Sequence, residues 1–150
     1  MTGHTLVITG RVYREGELLP VSIGIRDGKI TAVKRVLTGD RVRDYGDRII
    51  LPGAIDTHVH LRDPGETHKE DFHTGTLAAA HAGVTCVLDM PNNVPPVTSL
   101  SALMEKEAAV GAKACVDYGL FTALYDIPTK DWAGILRHSV GLKLYLAPTT

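Results

Sequence analysis

His58 and His60 are separated by a single valine in the stretch "AIDTHVHLRDPG". In an extended strand residues i and i+2 face the same side, so the two imidazoles project together. By the same alternation Arg62, two positions further, shares that face. Neutral imidazoles are good ligands for zinc and related ions. A guanidinium offers a planar fork that grips a carboxylate bidentately. As plain core residues, two imidazoles on a buried strand would need hydrogen-bond partners at real cost, so the pair reads as metal-binding. For Arg62 the bland alternative is a surface salt bridge. Lys143 stands alone among apolar residues in "VGLKLYLA". A buried, unpaired lysine is expensive, so either this one has a special role or its stem is buried while its amine reaches the strand end. Asn92 follows another apolar run in "VTCVLDMPNNVPP". Its amide can donate to a ligand while its oxygen anchors the loop. The alternative is a turn former, and Asn93 reads as a pure turn residue.

The elements that must position these side chains are apolar runs alternating with helical ones. Strand candidates start near residues 55, 85, 117 and 141, about every 24–32 positions. Between them, "THKEDFHTGTLAAAHAG" reads as a helix with residues 67–70 as its cap or first turn and Gly83 as its end. "TSLSALMEKEAAVGAKA" is a helix capped by Thr98 or Ser99, and "TKDWAGILRHS" a short one with Asp131 near its start. Such alternation means βαβ units and a parallel sheet. No Gly-x-Gly-x-x-Gly follows the first of these strands, which disfavours a dinucleotide fold and favours a (β/α)8 barrel. A barrel typically needs about 250 residues. The 150 residues hold four strands and three helices of one, so the natural protein is expected to be longer. The preceding segment, residues 4–51, has short Val/Ile-rich runs broken by Gly and Asp. Asp27-Gly28 between apolar flanks signals a hairpin, and a small antiparallel sheet is expected.

The bulk numbers exclude several classes. A net charge of −1 gives no basic excess for nucleic acid and no charged block for a membrane surface. No apolar run approaches the roughly 18 residues of a membrane span. "MTGHTLVITG" lacks the plan of a secretory signal, so a cytoplasmic location is expected. Cys86 and Cys115 then read as reduced, buried core thiols. His4, His68, His73, His81 and His138 read as surface or helix-end residues. Asp56 reads as an orienting or packing group, not a ligand. Residues 63–65, Asp-Pro-Gly, read as a turn opening the loop over the site.

The stretch "PGAIDTHVHLRDPGETHKEDFHTGTLAAAHAGVTCVLDMPNN" resembles the opening of the dihydroorotases, cyclic-amide hydrolases of the amidohydrolase superfamily. The resemblance implies a small β-sandwich domain over residues 1–51 and the first four strands of a metal-dependent (β/α)8 barrel over residues 52–150. Carried over, His58 and His60 match the pair binding the more buried metal, and Arg62 and Asn92 the contacts to the substrate carboxylate. Lys143 matches a lysine that many family members carboxylate, so that its carbamate bridges two zinc ions or another divalent pair. The implied reaction is the reversible hydrolysis of L-dihydroorotate to N-carbamoyl-L-aspartate in pyrimidine synthesis. The family's two further histidines and its general-base Asp are expected beyond residue 150, so the isolated chain is predicted inactive. A homo-oligomer or an association with aspartate transcarbamoylase is implied. Allantoinases and dihydropyrimidinases (hydantoinases) share the histidine pair and the lysine, but their substrates lack the ring carboxylate. A reading of another class is a non-catalytic scaffold partner of aspartate transcarbamoylase, though such chains typically lack the metal histidines.

Overall fold

The computed structural model describes residues 3–125 and 127–146. The chain divides into two compact units, Met1–Pro52 and Gly53–Thr150.

In the first unit, strands β1 (Leu6–Arg14), β2 (Glu17–Arg26), β3 (Lys29–Lys34) and β4 (Val42–Ile49) form one sheet in the order β3-β2-β1-β4. Arg26 pairs with Lys29 across Asp27-Gly28, whose φ angles are 51° and 71°. Positive φ at both central residues is the two-residue turn whose twist matches a hairpin. The Asp-Gly signal is therefore realised. A second such turn joins β1 to β2 at Glu15-Gly16, with φ of 53° and 91°. The sheet is not wholly antiparallel, because β4 runs parallel to β1. Residues 35–41 are too long for a tight hairpin. They carry the chain back along the sheet, and β4 enters on the free edge of β1. One sheet of the expected sandwich is present among the described residues.

The second unit alternates strand and helix: β5 (Ala54–Val59), α1 (Phe72–His81), β6 (Val84–Asp89), α2 (Leu100–Val110), β7 (Asp117–Ala123), α3 (Trp132–His138) and β8 (Gly141–Lys143). The four strands are parallel and lie in sequence order, β5-β6-β7-β8. A doubly wound sheet reverses its strand order at a switch point. This one does not, and its winding is that of a (β/α)8 barrel. Helix α1 starts later than expected. Asp71 is the cap, accepting from the Thr74 amide at 2.9 Å, while residues 67–70 remain in the preceding turn. Gly83, at φ 81°, ends the helix as expected. Ser99, not Thr98, caps α2 by accepting from Ala102 N–H at 3.2 Å. The core between helices and sheet is Leu61, Phe72, Val87, Val97, Leu103, Val110 and Leu120. Phe72 is fully buried and meets Tyr118 edge-on at 5.3 Å. Neither cysteine is a fully buried core thiol. Cys86 alternates onto the sheet face opposite Val87 and is half-buried, while Cys115 lies in the exposed turn before β7. Ala147, at the end of the last strand candidate, falls outside the described residues.

Candidate active site

The site begins where β5 stops. His58 is in the strand and His60 is one residue past its end. Their rings lie 5.2 Å apart, centroid to centroid, at a tilt of 48°, and both are exposed. The expected side-by-side placement of the imidazoles is thus observed. His60 Nδ1 is 2.6 Å from Asn92 Oδ1, across 32 residues of sequence. An amide oxygen only accepts, so Nδ1 is the donor, and in a neutral ring this leaves the lone pair on Nε2. Asn92 is therefore more than a turn former. Its oxygen orients His60, and its NH2 makes no protein hydrogen bond among the described residues.

Arg62 departs from the alternation argument. Its φ is 60°, a left-handed conformation that breaks the strand. The face of Arg62 is therefore set by the loop, not by strand register. Its guanidinium reaches Glu66 Oε2 at 3.2 Å, and Glu66 also pairs with Lys69. That second contact is the main reason the Glu66 carboxyl sits below its ordinary range. The surface-pair alternative for Arg62 is therefore present, although a guanidinium carries donors beyond those Glu66 uses. Glu66, Asn92, Thr98, Tyr125 and Tyr145 line a cavity of about 410 Å³. Ala123, the last residue of β7, also lines it, which puts the cavity at the C-terminal ends of the strands, where barrel enzymes place their sites.

Lys143 is the last residue of β8, in register with Ala123. It is half-buried, with its ammonium 5.4 Å from the centroid of the Tyr145 ring. Among the described residues no hydrogen bond or ion pair joins it to either histidine. The structure thus brings His58, His60 and Asn92 together, places Arg62 in the adjoining loop, and leaves Lys143 on the fourth strand. The Tyr145 hydroxyl is buried without a hydrogen-bond partner, and burial is the first cause that pushes its pKa up.

Beneath these residues lies a polar network that the sequence reading missed. Asp89, Lys106 and Asn93 are all buried. Lys106 Nζ lies 2.6 Å from Asp89 Oδ2, 2.7 Å from Asn93 Oδ1 and 3.1 Å from the Met90 carbonyl. Asn93 is thus not a pure turn residue. Its oxygen receives a buried ammonium, and its NH2 donates to Pro64 O at 3.4 Å. Asp63 likewise does more than turn the chain. It is 2% exposed, accepts from Phe72 N–H at 3.3 Å and pairs with Lys113 at 2.7 Å. A signal for Lys106 existed: positions 103 and 110 of the same helix are apolar and buried, so residue 106 falls on the core face.

The donor chemistry at His58 and His60 fits a metal ion. Two adjacent imidazoles, one with its far nitrogen held by a carbonyl oxygen, form the ligand-plus-support arrangement typical of zinc sites. Among the described residues no three His, Cys, Asp or Glu side chains are grouped to hold an ion. An ammonium has no lone pair to offer. Lys143 could join such a site only deprotonated or as a carbamate.

Comparison with known proteins agrees with the winding. A dihydroorotase of Pyrococcus abyssi is 48% identical over 117 residues, 77% of this chain and 29% of that protein. An allantoinase of Streptomyces avermitilis is 40% identical over 136 residues, 87% of this chain and 31% of that protein. The structure of an L-hydantoinase (dihydropyrimidinase) from Arthrobacter aurescens superposes with a TM-score of 0.85 and 25% identity, over 98% of this chain and 34% of that one. The chain spans about a third of the length of the relatives it matches. The family model described as "Amidohydrolase family" matches residues 49–136. That match takes in more than half of the 150 residues, including β5 with its two histidines, and the chain belongs to the amidohydrolase family.

Proposed function

We propose that the full-length protein is a dihydroorotase, a cytoplasmic enzyme that reversibly hydrolyses the cyclic amide of L-dihydroorotate to N-carbamoyl-L-aspartate. Several relatives bearing that name support the reading, at 40–48% identity. The observation that carries it within this chain is the His60–Asn92 contact. It joins a metal-type ligand to an amide whose NH2 remains available, one loop away from the Arg62 guanidinium. Arg62 and Asn92 would take the substrate carboxylate, which does not react, and so fix the ring for attack. Among the described residues no helix is long and apolar enough to cross a membrane.

His58 and His60 would hold one of two zinc ions, and the carboxylated Lys143 would bridge the pair. When bound, such a pair makes hydroxide available near neutral pH and polarises the scissile carbonyl. The residues of this chain supply positioning. Asn92 holds the tautomer of His60, and Arg62 orients the carboxylate. The general base is expected on a later strand of the full-length protein.

The allantoinase match keeps a second reading in view. Steady-state rates of the zinc-loaded full-length protein on L-dihydroorotate, allantoin and dihydrouracil separate them. The expected result is a kcat/KM for dihydroorotate at least about a hundredfold above the others, the scale on which a charged-group contact discriminates. Equal or higher efficiency on allantoin overturns the reading. Zinc content near zero in the isolated full-length protein would instead favour a scaffold. A crystal grown with zinc and bicarbonate that shows Lys143 without a carbamate would remove the bridged-metal part.

A further inference from the structure

We propose that Lys106 is a positioning residue: from helix α2 it locks the turn after β6 to the segment after β5, and so fixes His60 for metal binding. The inference rests on the metal-binding reading of His58 and His60.

Lys106 is 0% exposed, an unusual burial for an ammonium. Its ammonium donates to the Met90 carbonyl and the Asn93 side chain and forms an ion pair with the Asp89 carboxylate, so all its partners lie on residues 89–93. Each acceptor leads back to the site. Asp89 Oδ1 accepts from the Leu61 amide at 2.8 Å, and Leu61 directly follows His60. Asn93 donates to the Pro64 carbonyl, on the far side of Arg62. Between Met90 and Asn93 sits Asn92, which holds the His60 ring at 2.6 Å. One ammonium therefore ties the backbone on both sides of the 61–64 loop to the turn that orients the imidazole.

Stability alone gives a weak reason for this arrangement. A buried ion pair replaced by well-packed apolar groups is often neutral for folding or better. What apolar groups cannot do is hold a polar turn at hydrogen-bonding distance from a ligand. Burial pushes the Lys106 pKa down and the neighbouring Asp89 pushes it back.

The test uses the full-length protein. K106M alone leaves a buried carboxylate unpaired and invites misfolding. The double variant D89N/K106M removes both charges of the pair and keeps an acceptor for Leu61 N–H. Two readouts are taken without substrate: zinc affinity by chelator competition, and the ring-nitrogen shifts of His60 in metal-free, 15N-histidine-labelled protein at a fixed pH. The expected result is zinc binding about 10–100-fold weaker, the scale of losing support behind a ligand. The His60 signals should move from a fixed Nδ1–H tautomer towards a tautomer average. Zinc affinity and ring signals equal to wild type in a folded double variant overturn the proposal. If that variant does not fold, N93A decides, because it removes the Asn93 contacts to Lys106 and to Pro64 and leaves the Met90 and Asp89 contacts of Lys106 in place. An affinity loss of about three- to tenfold supports positioning, a fraction of the full effect, and no change overturns it. Wild-type protein that binds zinc but fails to turn over dihydroorotate would sink the dihydroorotase assignment and leave this test standing.

Discussion

Replacing Arg62 by methionine asks whether the guanidinium reads a carboxylate or only serves the loop. In the free protein the side chain is 27% exposed and bonded to Glu66 at 3.2 Å. A hydrogen bond to a charged partner is worth about 1.5–3 kcal/mol. The site is only partly shielded and Glu66 already shares the guanidinium, so the middle of that range applies, about 2 kcal/mol. At 1.4 kcal/mol per decade, R62M should lower kcat/KM for dihydroorotate by roughly 30-fold. Methionine keeps an unbranched apolar stem, so packing against the loop changes little. Dihydrouracil has the ring without the carboxylate and supplies the control. Both substrates are followed by steady-state ultraviolet absorbance in zinc-loaded full-length wild type and R62M. The loss should fall on dihydroorotate and leave dihydrouracil within about twofold, because the removed interaction reaches only the carboxylate. If both substrates lose efficiency in parallel, Arg62 supports the loop through Glu66, and its assignment as the carboxylate grip is wrong.

Three further outcomes follow from local geometry in the full-length protein. Gly65 has φ 102°, and a Cβ there would lie 2.0 Å from the Val94 carbonyl oxygen. G65A should therefore cost more than about 2 kcal/mol in urea unfolding, and a loss below half of that would show the two loops free to separate. S99A removes the cap of α2 and should cost about 1 kcal/mol by the same measurement. The Asp71 carboxyl lies below its ordinary range, chiefly through the Thr74 backbone hydrogen bond. An acid depressed in the folded state contributes stability above its unfolded pKa, about 3.9, and loses it as pH falls through the lower folded value. The stability advantage of wild type over D71N should thus be constant near neutrality, begin to fall at about pH 4 and be gone only below the lower folded value. An advantage that persists in acid would mean the cap acts without its charge.

What could be read from the sequence was local, and what could not was pairing between distant segments. The strand-helix alternation of the second unit followed from apolar runs, a cap at Thr98 or Ser99 and a stop at Gly83. Strand spacing alone suits a barrel or a doubly wound sheet, and the missing Gly-x-Gly-x-x-Gly after the first strand is what favoured the barrel, which fills its sheet in chain order. The parallel pairing of β4 with β1 had no local signal, since an edge strand's partner is chosen by the whole sheet. The histidine pair was legible because two residues of spacing fix a common face within one strand. For Arg62 strand alternation does not apply, because the strand ends at Val59 and a non-glycine residue turns left-handed at position 62. The His60–Asn92 contact spans a complete βαβ unit, so it emerges only once β5 and β6 are in register. Lys106 differs from both cases: its place on the core face of α2 was countable, and only its partners were not. The departures at Arg62 and Asn93 both fall where strands hand over to loops. There the backbone leaves its periodic states, and side chains are placed by tertiary contacts instead of by phase. A barrel enzyme builds its chemistry on that edge. The positions hardest to place from sequence are therefore the ones where a buried tie such as Lys106–Asp89 is needed to fix what periodicity cannot.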